Sequence, residues 1–389
     1  MAGLRQFAGE HRAGESGTSD SDLHISSCLY SAVHCALPKR LPGALNVANV
    51  IEMGRHLSRN ADMVQRGSER REKLRWSVVV PVHNCAHFLP ETLAEVVEQL
   101  GGRDDAEIIV VDDASTDDVA SVVRTVGRGT VRYERNPANL GAVATFNRCI
   151  EVSRGEIVHI LHGDDTVLPG FYVAMELALE GSPALTAMCR TRHIDGEGRT
   201  LHETRRYREG TGIWEGAFDA FAVSNRVRAP GMVVRRAAYD AFGTFRTDLP
   251  HAADWELWTR MASRGPVVFV DEILAGYRKH GESDTSRRMT SGENIRERVT
   301  AIGLISGHVP PRRRRATTRK ALAYSVVYAG RSALDMARRR EWRAALAQTR
   351  EGARCVLRAP FGVGCDPRTD AHSGDASVIR SRTGRSVRV

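Results

Sequence analysis

The chain has 389 residues, 42% hydrophobic and 26% charged, a balance ordinary for a globular protein. No stretch reaches the roughly 18 apolar residues of a bilayer span, the first residues lack the apolar core of a secretory signal, and seven scattered cysteines without a CxxC pair argue against a disulfide framework or zinc site, so a cytoplasmic location without export or membrane spanning is expected. The net charge of +9 is uneven: residues 286–389 hold 23 Arg or Lys against 8 Asp or Glu, so the basic excess belongs to the C-terminal quarter alone.

Residues 1–74 are rich in Gly, Ser, Arg and Glu and weak in periodicity, which reads as a disordered or loosely structured extension. Met53 and Met63 stand close ahead of the first strand as alternative starts. Regular structure begins with Trp76-Ser-Val-Val-Val-Pro-Val82, a continuous β-branched run expected of a strand buried on both faces. Leu89, Leu93, Val96, Val97 and Leu100 recur at helical spacing and Gly101-Gly102 ends that helix. Strand 107–111 closes on Asp112-Asp113, and Ser115 with Asp118 is placed to cap the next helix. Strand 130–134, a helix over 141–153 and strand 156–161 complete four strand–helix alternations, which argue for a doubly wound, mostly parallel sheet.

The pattern then changes to α+β. Strands are expected over 184–193, 231–234 and 267–270, with a helix over 252–263. Helical periodicity dominates from about 294 to 357, interrupted by Pro310-Pro311 and the run Arg312–Arg315. We read residues 286–365 as a basic helical region and 366–389 as a flexible tail.

Ligands of open α/β sheets bind beyond the carboxyl ends of the strands. Three polar clusters fall there: His83-Asn84, Asp112-Asp113 and His162-Gly-Asp-Asp165. Any one Asp pair serves equally well as a turn or cap. Two pairs at neighbouring strand ends repel each other unless a cation or donors offset the charge, and hard divalent cations take oxygen ligands.

Val78-Val-Val-Pro-Val-His-Asn84, Val110-Val-Asp-Asp-Ala-Ser-Thr-Asp117, Asn139-Leu-Gly141, His162-Gly-Asp-Asp-x-x-x-Pro169, Asp254-Trp-Glu-Leu-Trp258 and Tyr277-Arg-Lys-His280 occur in one order. Together they resemble family 2 glycosyltransferases of the GT-A fold, over roughly residues 76–285. The resemblance implies an α/β nucleotide-sugar-binding domain at 75–285, with a helical C-terminal appendage. It further implies that Pro81, Val82 and Asn84 line the nucleotide pocket, that Asp113 accepts from the base, and that Asp164 contacts the ribose or a metal. Asp165 would hold a divalent cation, Mn²⁺ or Mg²⁺, bridging the donor diphosphate, with His280 a further metal ligand or a diphosphate contact.

Asp254 resembles the general base of an inverting displacement, taking the proton of an acceptor hydroxyl as it attacks the anomeric carbon. Glu256 is the rival base, and two residues apart on a helix the two cannot face one substrate. Many relatives carry Asp where this chain has His162, which leaves Asp164 and Asp165 as the only carboxylates of that motif. The implied activity is transfer of a sugar from a UDP- or dTDP-sugar to a saccharide, lipid-linked saccharide or metabolite. The alternative is a non-catalytic relative that binds nucleotide sugar or glycan as a sensor or scaffold. For the basic C-terminal region, a solvated helical appendage is set against peripheral contact with an anionic membrane at its inner face. Nucleic acid is not an expected partner, since no nucleic-acid module accompanies the charge.

Overall fold

The structure, a computed structural model, describes residues 74–281 and 284–358. The expected extension and C-terminal tail therefore lie outside the described residues, apart from Leu74. β1 (Trp76–Val82), α1 (Leu89–Leu100), β2 (Ala106–Asp112), α2 (Val119–Gly127), β3 (Val131–Arg135), α3 (Ala142–Val152) and β4 (Ile157–Ile160) follow one another. β3, β2, β1 and β4 lie side by side and run parallel. β1 is buried throughout because both its faces are covered. Val78, Val80 and Val82 point into a core with Leu89, Leu93 and Phe171, while Val79 points into a second core with Ile109, Val158 and Trp255.

The sheet continues past β4. β5 (Thr166–Val167), α4 (Phe171–Glu180), β6 (Thr186–Ile194), β7 (Thr200–Glu203), β8 (Gly212–Ile213) and α5 (Ala217–Phe221) come next. A 3₁₀ turn (Ala229–Gly231), β9 (Met232–Arg235), α6 (Arg236–Phe242), α7 (Ala253–Ala262) and β10 (Val267–Arg278) complete this half. The strand order is β3-β2-β1-β4-β9-β6-β10-β5, with β7 on β6 and β8 on β10. β9 is antiparallel to both β4 and β6, whereas β10 runs parallel to β6. The sheet is thus mostly parallel and single.

Four local expectations are corrected. β10 is three times longer than the expected 267–270, continuing through register shifts near Ile273 to Arg278, because its second half pairs with β6 on one side and β5 on the other. The short strands β5, β7 and β8 carry too few residues for a periodicity to show. Asp118 alone caps α2, accepting from Ser121 N (3.0 Å), while Ser115 donates its N–H to Asp112 Oδ1 (2.8 Å). Arg312–Arg315 do not interrupt a helix but form its first turns, since Pro at the first helical position starts one.

The C-terminal helices are α8 (Asp284–Ser291), α9 (Glu293–His308), α10 (Pro311–Arg338) and α11 (Trp342–Arg358). α9 is more than an appendage: Ile295, Val299, Ile302 and Ile305 lie in the same core as Val79 and Trp255. No helix among the described residues is long and apolar enough to cross a membrane.

Candidate active site

The site forms where β1 and β4 part. In β1 the carbonyls of Val79 and Pro81 accept from Leu161 N (3.0 Å) and Gly163 N (3.1 Å), so odd-numbered residues face β4. Pro81 has no N–H to give on that side, and the ladder between the strands ends at Val79–Ile160. The segment 161–165 then turns across the end of β1, with Asp165 N donating to His162 O (3.0 Å). Gly163 is required at this crossing, because a Cβ there would stand 2.9 Å from Val82 Cγ2 and 3.0 Å from Cys85 Sγ.

The turn gathers His162, Asp164 and Asp165, one potential ligand atom of each lying within 4.8 Å of the others. Asp165 is buried, and its Oδ1 accepts from Arg278 N (2.9 Å). Its Oδ2 has no hydrogen-bond partner and stands 3.6 Å from His162 Nδ1. Burial and the neighbouring Asp164 charge push the Asp165 carboxyl well above the ordinary range. Burial would raise Asp164 as well, but the hydrogen bond from His280 Nε2 to its Oδ2 (2.8 Å) and the nearby imidazoles hold it below that range. His280 therefore reaches the cluster through Asp164. His162 stacks on Phe146 (4.9 Å between centroids, 9° between planes). Burial lowers its pKa against the opposing pull of the Asp164 and Asp254 carboxylates.

At the ends of β1 and β2 the polar residues are fastened to one another. Asn84 adopts φ 53°, a left-handed conformation Asn tolerates, and its Oδ1 accepts from Thr116 N (2.7 Å) and Oγ1 (3.0 Å). Asp112 is fully buried and accepts from Tyr133 OH (2.6 Å) and Arg135, a structural role. Asp113 is buried too and accepts from Asn136 Nδ2 (2.8 Å), Leu140 N (2.8 Å) and Gly141 N (3.0 Å). It thereby fixes the Asn139–Gly141 loop against the ends of these strands.

Asp254 sits in the first turn of α7, partly accessible, with Oδ2 accepting from Asn225 Nδ2 (2.8 Å). Glu256 is buried and ion-paired to Arg260 (3.0 Å), with His308 Nε2 at 3.8 Å. Trp255 and Trp258 pack into the core, Trp255 Nε1 donating to Phe221 O (2.6 Å). The two carboxylates thus part company, Asp254 partly accessible on Asn225 and Glu256 paired inside the protein.

Residues unmarked by the sequence reading complete the site. Arg278, 3% exposed, donates from Nε to Asp164 O (2.8 Å), from Nη1 to Gly196 O (3.0 Å) and from Nη2 to Glu91. The Thr92 hydroxyl lies 2.7 Å from Asp165 O and 3.0 Å from Gly163 O. Arg278 was within reach of the sequence, as it lies inside the Tyr277–His280 motif. Thr92, Phe146 and Asn225 carry no local signal, since their partners are over 15 residues distant in the chain.

Residues 77–242, which include the acidic turn at the end of β4, match the family model for glycosyl transferase family 2. An uncharacterized protein of Mycobacterium tuberculosis, MT1568, is 31% identical over 235 residues, 57% of this chain and 72% of that protein. The chain belongs to glycosyl transferase family 2. The succinoglycan biosynthesis protein ExoU of Rhizobium meliloti is 33% identical over 95 residues, 24% of this chain and 27% of ExoU. In fold, S. aureus TarS 1–349, solved with UDP-GlcNAc, superposes with a TM-score of 0.52 at 15% identity, covering 72% of this chain and 92% of that one. The protein is accordingly a glycosyltransferase with a GT-A-like fold, and its homologues include polysaccharide biosynthesis proteins.

Proposed function

We propose that this family 2 enzyme transfers a sugar from a nucleotide-sugar donor, a UDP- or dTDP-sugar, to a hydroxyl of a saccharide, lipid-linked saccharide or metabolite, with inversion. The observation that carries the reading is the unpartnered, buried Asp165 Oδ2 within the His162–Asp164–Asp165 cluster. A buried carboxylate oxygen without a donor is costly unless a cation meets it, so these residues suit Mn²⁺ or Mg²⁺. Asp165 and Asp164 would hold that cation, with His162 beside them and His280 holding Asp164. Bound there, a divalent cation would neutralise charge on the departing nucleoside diphosphate.

The protein's own groups do the rest. Pro81, Val82 and Asn84 supply the wall against which the nucleotide lies, and Asp113, whose Oδ2 accepts one bond, is the acceptor for a base N–H. Asn225 orients Asp254 so that its carboxylate takes the acceptor proton during attack on the opposite face of the sugar. The basic C-terminal region brings the enzyme to an anionic membrane surface where a lipid-linked acceptor resides.

Calorimetric titration of UDP, dTDP and GDP, with and without Mn²⁺, tests this reading. Wild type is expected to bind one of UDP or dTDP in a Mn²⁺-dependent manner, and Asp165→Ala to lose that dependence. Folded wild type that binds no nucleotide would turn the assignment toward the non-catalytic scaffold.

A further inference from the structure

α11 has two apolar faces, and the larger side chains are on the outer one. At about 100° per residue, Ala344, Ala345, Gln348, Gly352 and Cys355 form the face packed on the protein. These are small or polar, and Gly352 lies so near α10 that a Cβ there would stand 3.0 Å from Ala329 Cβ. On the other side Trp342 (67% exposed), Leu346 (70%), Val356 (54%) and Leu357 (72%) fall with Ala353 and Thr349 in one stripe about 100° wide. A helix that serves only to pack carries its large apolar residues inward and its charges outward.

The surroundings of the stripe are cationic. Arg343, Arg350 and Arg354 line one border, and Arg338, Arg339 and Arg340 precede Trp342. We propose that this stripe is a membrane-docking face: α11 lies in the headgroup region of an anionic bilayer, its Trp and Leu side chains dipped among the acyl chains and its arginines level with the lipid phosphates. Indole and aliphatic side chains bordered by arginine are the composition of interfacial helices. A second copy of the chain would set arginine borders against each other. An anionic lipid surface complements both the charge and the apolar stripe. This deepens the membrane contact named above by moving it from the arginine runs to an inserted face, and it stands apart from the chemistry of the active site.

The test is co-sedimentation of the full chain with phosphatidylcholine vesicles, with and without phosphatidylglycerol. Wild type is expected to pellet with the anionic vesicles. The Leu346→Glu/Leu357→Glu variant, altered only at exposed positions, is expected to bind at least about tenfold more weakly while keeping its circular dichroism and its nucleotide binding. Arg343→Glu/Arg350→Glu is expected to weaken binding as well. Wild type left in the supernatant, or a leucine variant that pellets as well as wild type, overturns the proposal. So does a lipid-free dimer that Leu346→Glu dissociates, since the stripe then belongs to a second copy. Nucleotide titration of the same samples is a separate readout, so loss of vesicle binding leaves the transferase reading standing.

Discussion

Asp254 and Glu256 show how two residues in the chain separate two roles in space. Asp254, partly accessible with Oδ2 on Asn225, is the residue proposed for proton transfer, whereas Arg260 and His308 occupy Glu256 in the core. Asp254→Asn should lower kcat roughly 10²–10⁴-fold and leave nucleotide affinity within a factor of a few, as steady-state kinetics and calorimetry would measure. Glu256→Gln should do the reverse, keeping kcat at permissive temperature but costing about 3 kcal/mol in denaturant titration, because it leaves Arg260 without its carboxylate. A kcat collapse in Glu256→Gln together with normal stability would exchange the two assignments. At this scale the sequence was partly legible. Motif residues such as Asp165 and His280 arrive together, but a departure such as His162 looked like a loss and turns out to be the third member of the cluster.

At the scale of elements, β4 carries one polar residue, and its place is structural. His159 is fully buried, its Nε2 3.0 Å from Pro230 O and its Nδ1 3.3 Å from the Tyr172 hydroxyl. The neutral ring with a proton on Nε2 donates to the carbonyl and accepts from the phenol. Burial pulls its pKa from 6.5 down to about 3. Below 6.5 the unfolded chain takes up a proton that the native chain refuses, so this contribution to stability is present above 6.5 and lost as pH falls toward 3. The loss reaches at most about 1.4 kcal/mol per pH unit. His159→Gln, which keeps a donor for Pro230, should flatten the difference between urea midpoints measured at pH 7 and pH 4.5. An unchanged pH slope would assign the acid sensitivity to other groups. The elements themselves were legible where runs are long: β1, α1, β2 and α3 stand within a residue or two of their expected bounds. They were not legible where a two-residue strand such as β5 exists only because β10 passes beside it.

For the molecule as a whole, the division into a catalytic domain and a helical appendage understates the packing of α9. Ile295, Val299, Ile302 and Ile305 are buried in the core that α9 shares with α7, each worth about 1.5–3 kcal/mol. Their sum rivals the roughly 5–15 kcal/mol by which a domain is stable. A chain ending at residue 292 should therefore fail to show a cooperative unfolding transition, whereas one ending at 358 should unfold as the full chain does. A stable, nucleotide-binding 1–292 chain would restore the appendage view. Arg278 has a related consequence for anyone recombining this enzyme with a relative. One guanidinium ties α1, the acidic turn and the β6–β7 connection, and it arrives on a strand that begins after the family match has ended at residue 242. A graft cut at that point would pair one parent's acidic turn with another parent's clasp. A chimera that takes residues 74–308 from one parent keeps the acidic turn, its Arg278 clasp, Asp254 and the core face of α9 together.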